Sequence, residues 1–191
     1  MLATQPRSIF TPEHELFRDT VRRFFKEQVE PNVKEWERLG GLPRELFRQA
    51  GRYGLLQAGM PEEYGGMGGD FLHHVIVNEE QGYSPVGANI GTGLGIDGTS
   101  YLFLYLGTEQ QKREWIPRFA SGEVVAEGAF TEPHSGSDMG DVRTRARRDG
   151  SDYVINGQKT WISNAPICTH FPVFTKVELA DGRYGQAIFM I

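Results

Sequence analysis

The sequence predicts an α+β protein, with an all-helical domain over residues 1–122 followed by an antiparallel β domain over residues 123–191. Three observations predict it. Up to Gly122 the apolar residues recur at helical spacing between capping signals. Beyond Gly122 the period falls to two, with Val142, Thr144 and Ala146 alternating against Arg143, Arg145 and Arg147. Three dipeptides there, Asp149-Gly150, Asn156-Gly157 and Asp181-Gly182, have the form of hairpin turns. Helices followed by a run of strands is the order of an α+β chain.

Each element has a local cause. Thr11-Pro12-Glu13 opens a first helix with a hydroxyl cap, a proline at the first helical position and an acid in the first turn. Phe17, Val21, Phe24, Phe25 and Val29 form its apolar face, and Pro31 ends or kinks it. A short helix runs from Pro43 to near Gly54 on Leu46, Phe47 and Ala50. The turn-rich stretch Pro61–Asp70 leads to Asp70 as N-cap of a helix over Phe71–Gln81. A glycine-laden helical segment follows over Val86–Ile96, then one bearing Tyr101, Leu102, Leu104 and Tyr105 that ends at Gly107. Thr108-Glu109-Gln110-Gln111 has the form of a capping box for a helix that Pro117 breaks or restarts. Strands are expected over Val124–Phe130, Val142–Arg147, Tyr153–Ile155, Gln158–Ser163, Phe171–Val177 and Tyr184–Ile191. The last segment, Ala187–Ile191, would be a central strand in most folds, so the β domain is expected to be cut short.

Composition excludes several classes. The 191 residues carry 20 basic and 25 acidic side chains, a net charge of -5 that gives no pull toward nucleic acid. No apolar run reaches about 18 residues, and Met1–Phe10 has no secretory core, which suits the cytoplasm or a mitochondrial matrix. A single cysteine, Cys168, makes no disulfide framework, and no metal site is expected; the adjacent His73 and His74 point apart on a helix and suit a surface or partly buried pair. Glycine is in excess, 24 of 191 residues against a usual share of roughly 7%. Gly87, Gly91 and Gly95 recur every four residues, a smooth helical face that suits either an acyl chain or close helix packing.

Two segments could carry chemistry. Phe130-Thr131-Glu132-Pro133-His134-Ser135-Gly136-Ser137-Asp138 follows a strand and offers hydroxyls and backbone N–H groups to an outside acceptor. Gly157-Gln158-Lys159-Thr160-Trp161-Ile162-Ser163-Asn164 places an indole beside a hydroxyl, suited to stack on a flat ring and bond its edge. Taken singly, the first also fits an ordinary hydrophilic loop and the second a Trp packed in a sheet core.

Together these motifs resemble the flavin-binding signature of the acyl-CoA dehydrogenases. Gly54-Leu55-Leu56, Pro61-Glu62-Glu63-Tyr64-Gly65-Gly66, Gly107–Lys112 and Pro117–Glu123 match the same family in order, and the resemblance covers residues 8–191. The opening, Ile9–His14 through Trp36-Glu37, resembles the long-chain members. The resemblance implies a helical N-terminal domain, a β middle domain and a further helical domain absent from this chain. It implies FAD, an acyl-CoA substrate dehydrogenated between its α and β carbons in fatty-acid β-oxidation, an electron-transfer flavoprotein as acceptor and a homo-oligomer for the full-length protein. By position it implies cofactor contacts from Phe130, Thr131, Ser137, Trp161, Ile162 and Ser163, with Ser137 also reaching substrate. The family's catalytic glutamate falls beyond residue 191, so no catalytic residue is expected in this chain. An acyl-CoA oxidase or flavin monooxygenase on the same scaffold, or a non-catalytic fragment that binds acyl-CoA or a partner, are the alternatives.

Overall fold

The computed structural model describes residues 9–85, 98–179 and 181–191. The chain divides into two compact units, Met1–Glu123 and Val124–Ile191. The first is helical. The predicted start of α1 (Pro12–Phe24) is present in full: Thr11 accepts from the His14 N–H, and the His14 ring accepts the Thr11 N–H in return. Pro31 does not stop the chain but re-routes it. A π-turn over Phe25–Val29 and a 3-10 turn over Glu30–Asn32 lead into α2 (Val33–Leu39), a helix absent from the sequence-based expectation. Next come α3 (Arg44–Arg52), a 3-10 turn at Glu62–Tyr64 and α4 (Phe71–Tyr83), capped by Asp70 as expected. After α5 (Gly98–Leu106), Thr108 and Gln111 form the predicted reciprocal box at the head of α6 (Glu109–Ala120). Helix α6 runs unbroken through Pro117, contrary to the expected break. The glycine-rich segment over 86–96, with Gly87, Gly91 and Gly95, lies outside the described residues.

Helix α1 packs on α4, and α5 on α6. Phe17, Val21, Phe24 and Phe25 on one side and Ile76 and Val77 on the other are buried. A charged network sits in this helical unit. The Arg18 guanidinium donates to Glu79 (2.8 Å) and to buried Glu80 (3.1 Å), and Arg22 donates to both oxygens of Glu80 (2.9 and 3.0 Å). His73 and His74 are buried rather than at the surface. His74 Nε2 accepts the Gly59 N–H, and burial first, then the neighbouring His73, pushes the His74 ring down from its ordinary pKa. His73 faces the other way, toward Asp70 and the His14 ring, as expected for adjacent helical residues.

The second unit is a four-stranded sheet in the order β2-β1-β3-β4, with β1 Arg145–Asp149, β2 Asp152–Asn156, β3 Pro172–Glu178 and β4 Tyr184–Met190. The expected wholly antiparallel sheet is corrected in one place. Strands β1 and β3 are parallel, with Arg145 opposite Lys176 and Ala146 opposite Val177. Hairpins impose antiparallel neighbours, and two of the three predicted turns do so: the Asp149-Gly150 signal lies at the turn from β1 to β2, whose two loop residues are Gly150 and Ser151, and the Asp181-Gly182 turn joins β3 to β4. The long connection from β2 to β3 instead returns the chain to the other edge of β1 in β1's own direction. The period-two pattern holds, with Val142, Thr144 and Ala146 all 2% exposed and the intervening arginines in solvent. Tyr153 on β2 meets Phe189 on β4 with ring centroids 4.9 Å apart, so side chains of the two edge strands pack together.

Two expected strands are absent. Val124–Phe130 makes only isolated parallel bridges, Ala126 with His170 and Ala129 with Val173. Gln158–Ser163 is irregular, and Asn156-Gly157 is no hairpin turn. Gly157 serves a close approach instead: a Cβ there would lie 2.2 Å from Thr144 Oγ1 and 2.6 Å from Thr144 Cα. The chain must run tightly over Thr144 at this point, which only glycine permits.

Candidate functional site

The site forms where the two motif segments meet in the sheet unit. Ala129 is tied to β3 by N–H donation to Pro172 O (3.0 Å) and by accepting the Phe174 N–H (3.1 Å). The chain leaves the sheet at Phe130, whose half-buried ring packs on Phe174. Two residues later, Glu132 is buried. One carboxylate oxygen accepts from the Lys159 ammonium (2.9 Å) and the Thr144 N–H (2.9 Å), and the other from the Arg143 N–H (2.7 Å). Burial pushes the Glu132 carboxyl up. Hydrogen bonds from Thr144, from Lys159 and from the backbone N–H groups of Arg143 and Thr144 outweigh that push and hold it at about 2.

Lys159 also donates to Phe130 O (3.0 Å), and the next residue, Thr160, donates its N–H to Thr131 O (3.0 Å). Residues 130, 131 and 132 are thus each bonded to residues 159 or 160. Immediately after this seam Trp161 takes a left-handed backbone, φ 58°, with its indole 88% exposed. Asn164 is also left-handed, φ 55°, and its carbonyl accepts the N–H groups of Ile167 (2.9 Å) and Cys168 (3.0 Å). A left-handed Trp with its ring in solvent costs backbone strain and leaves apolar surface wet, a combination that marks functional positions.

On the other side Glu132 and Ser135 exchange backbone hydrogen bonds (2.8 and 3.1 Å) around Pro133-His134. The Ser135 hydroxyl donates to Asp138 O (2.6 Å), and Asp138 Oδ1 accepts the Gly140 N–H (2.9 Å). The loop therefore uses several of its own backbone groups, fewer being left for an outside acceptor than the sequence suggests. Its tip, Gly136-Ser137, is exposed, and a Cβ on Gly136 would meet nothing nearer than Thr131 Cγ2 at 4.0 Å. This open strip beside Thr131 leaves room for another molecule.

Of the six residues expected at a cofactor, Phe130, Thr131 and Trp161 are joined through the seam. Thr131 is half-buried, with its methyl carbon Cγ2 the nearest atom to the Gly136 position. Ile162 and Ser163 enter the turn that follows Trp161, with Ser163 exposed. Ser137 stands on the loop tip, and among the described residues no hydrogen bond ties it to Trp161, Ile162 or Ser163. Glu132 and Lys159 were not among the expected site residues. Their signal was an acid and a base, each one or two positions from an expected contact residue in its own motif. The expected strand over Gln158–Ser163 is not formed; the Thr160 N–H goes to Thr131 O rather than to a neighbouring strand.

For metals, the His14 and His73 ring nitrogens and Asp70 Oδ1 lie within 4.8 Å of one another in the helical unit. The group works as a capping network. His14 Nδ1 accepts the Thr11 N–H, so the proton of the neutral ring lies on Nε2, which donates to Asp70 Oδ1 (3.0 Å). Asp70 Oδ1 in turn caps the Leu72 N–H (2.9 Å).

The chain thus has a helical unit and a mixed sheet unit, and the sheet unit carries an exposed indole just after a segment bonded to a hydroxyl-bearing loop. Family models for the acyl-CoA dehydrogenase N-terminal domain and middle domain match residues 11–123 and 128–191, and the chain belongs to the acyl-CoA dehydrogenase family. It is 43% identical to the long-chain specific mitochondrial acyl-CoA dehydrogenase of Sus scrofa over 97% of this chain and 43% of that protein. It is 38% identical to (2S)-methylsuccinyl-CoA dehydrogenase of Cereibacter sphaeroides over 98% of this chain and 34% of that one. Among solved structures it is similar to an acyl-CoA dehydrogenase from Geobacillus kaustophilus, with TM-score 0.85, 31% identity, and coverage of 97% of this chain and 49% of the other. It is also similar to a glutaryl-CoA dehydrogenase from Mycobacterium smegmatis in complex with FADH2, with TM-score 0.84, 30% identity, and coverage of 96% and 46%. The chain spans about half or less of the length of each of these relatives.

Proposed function

We propose that this chain supplies the flavin-facing part of an FAD-dependent acyl-CoA dehydrogenase. The observation that carries this is Trp161, left-handed, exposed and pinned beside Thr131 by the Thr160–Thr131 bond. The donor set fits the group: an apolar ring face from Trp161, hydroxyls at Thr131, Ser137 and Ser163, and open space at Gly136. When bound, FAD would supply the hydride acceptor for α,β-dehydrogenation of the thioester. Trp161 would cover a face of the ring, Thr131 and Ser163 would donate to its edge, and Phe130 would back the ring from the sheet side. Ser137, on the loop tip, would meet the acyl-CoA or the cofactor phosphates.

The carboxylates in the loop are not suited to take the substrate's α-proton. Glu132 is buried, fully bonded and held at about 2, so it is a weak base. Asp138 is engaged in capping Gly140. The proton acceptor belongs to another part of the enzyme in this proposal, and an electron-transfer flavoprotein is the proposed acceptor of the electrons. The test is anaerobic addition of acyl-CoA thioesters of graded chain length to the full-length gene product, followed by flavin absorbance. Bleaching that is slow to reverse with oxygen and fast with an electron-transfer flavoprotein supports a dehydrogenase. Rapid reoxidation by oxygen alone would indicate an oxidase, and an absence of bound flavin would refute the proposal.

A further inference from the structure

We propose that Glu132 and Lys159 are a positioning pair that sets the geometry of Thr131 and Trp161, a role that rests on the flavin site proposed above. Lys159 Nζ reaches both Phe130 O (3.0 Å) and Glu132 Oε1 (2.9 Å), the two residues that flank Thr131. The Thr131 carbonyl is held in the same seam by the Thr160 N–H (3.0 Å), one residue before Trp161. One ammonium thus ties the backbone carbonyl before Thr131 and the carboxylate after it to the segment that leads into Trp161. The pair is dry, its side chains 2% and 10% exposed. Glu132 is itself anchored by the Arg143 and Thr144 N–H groups at the start of β1, so the seam is referenced to the sheet.

A buried ion pair is weak evidence for stability, because desolvation offsets most of its attraction. Its value here is placement. Neither Thr131 nor Trp161 is held by regular strand pairing: Thr131 follows isolated bridges, and Trp161 lies in an irregular segment. Without the ammonium, Phe130 O and the Glu132 carboxylate lose their common partner, and the two segments are left joined by the single Thr160–Thr131 bond. Misplacement of a reacting group by about 1 Å can cost on the order of a hundredfold in rate. Neither residue is proposed to touch the reacting atoms.

The test uses the full-length gene product as wild type, Lys159→Met and Lys159→Arg. Three quantities are read: FAD affinity, the visible and fluorescence spectrum of bound flavin, and the rate at which acyl-CoA reduces each bound flavin. Lys159→Met is expected to shift the flavin spectrum and to slow reduction per bound flavin by roughly ten- to a hundredfold. Lys159→Arg keeps the charge and the reach, and is expected to recover most of both. A lowered melting temperature with an unchanged flavin spectrum and reduction rate would make the pair merely structural and overturn the proposal. If Lys159→Met gives no folded protein, Glu132→Asp decides the matter. It keeps both charges and retracts the carboxylate by one methylene, so a shifted spectrum with slowed reduction supports the proposal and wild-type values of both refute it. If wild type itself binds no flavin, the flavin site fails and with it the pair's role as a positioning device; flavin bound by wild type with unchanged variants would overturn the pairing alone.

Discussion

Glu132 sits in an environment far from that of the unfolded chain, buried and bonded at both carboxylate oxygens. Its carboxyl is held at about 2 against an ordinary value of 4.5, after burial has been outweighed by hydrogen bonds from Thr144, Lys159 and two backbone amides. A depressed folded value means the stabilisation is fully present above the unfolded value and is lost as pH falls through the folded one. The window is therefore about pH 4.5 down to 2, and the stabilisation lost is about 3 kcal/mol. Urea unfolding followed by circular dichroism is expected to show this loss over that window, and Glu132→Gln is expected to flatten it. An equal slope in both proteins would mean the carboxylate is not bonded as described. Thr131 is tested differently, since its hydroxyl is argued to meet a ligand. A hydrogen bond to a charged or charge-developing atom is worth about 1.5–3 kcal/mol, so Thr131→Ala is expected to slow flavin reduction in the full-length enzyme by roughly ten- to a hundredfold. Stopped-flow traces identical to wild type would remove Thr131 from the site.

At the scale of elements, what the sequence reveals is what short-range chemistry decides. The caps at Thr11, Asp70 and Thr108 and the hairpin turns at Asp149-Gly150 and Asp181-Gly182 each depend on partners within a few residues, and all are where the pattern places them. The parallel pairing of β1 with β3 depends on a long-range return and leaves no local mark. Asn156-Gly157 shows the limit most clearly. Its turn-like composition suggests a hairpin, but Gly157 is there because the chain crosses Thr144 too closely for a side chain. Likewise, Gln158–Ser163 has strand-like alternation, yet its hydrogen bonds go to Phe130, Thr131 and Glu132 rather than to a strand. That the two motif segments belong together was legible through the resemblance, while the Glu132–Lys159 pairing that joins them was not, because neither segment alone says which of its residues meets the other. Gly157→Ala is accordingly expected to destabilise by more than about 1–3 kcal/mol, the usual cost of overpacking, since the added carbon meets backbone as well as Oγ1. Thr144→Ala is expected not to rescue it, because Thr144 Cα remains 2.6 Å from the new Cβ. Gly82, in α4 where an added Cβ would meet nothing within 4 Å, is the control: Gly82→Ala is expected to be neutral or stabilising by up to about 1 kcal/mol. Thermal melts of the two variants that moved together would refute the contrast.

At the scale of the whole molecule, binding and proton abstraction make different demands. The sheet unit carries an exposed indole and exposed hydroxyls beside a seam built from its own backbone, and under the proposed function this is the surface that meets the flavin. Proton abstraction next to a thioester needs a carboxylate that is accessible and basic near neutral pH. Glu132, the carboxylate next to Thr131, fails on those grounds because it is buried and held at about 2, and Asp138 gives one of its oxygens to the Gly140 N–H. General-base assistance is typically worth a factor of about 10²–10⁴, so its loss would take turnover below ready detection even where flavin is retained. The 191-residue chain by itself is therefore expected to show no acyl-CoA-dependent flavin reduction under anaerobic conditions, whereas the full-length gene product reduces its flavin. The control is dithionite, which reduces any bound flavin without a base and so separates a chain that lacks cofactor from one that lacks the proton acceptor. Bleaching of the 191-residue chain by an acyl-CoA at a rate near that of the full-length protein would place the base among these residues, and Glu132→Gln and Asp138→Asn would then identify it by which one abolishes the bleaching.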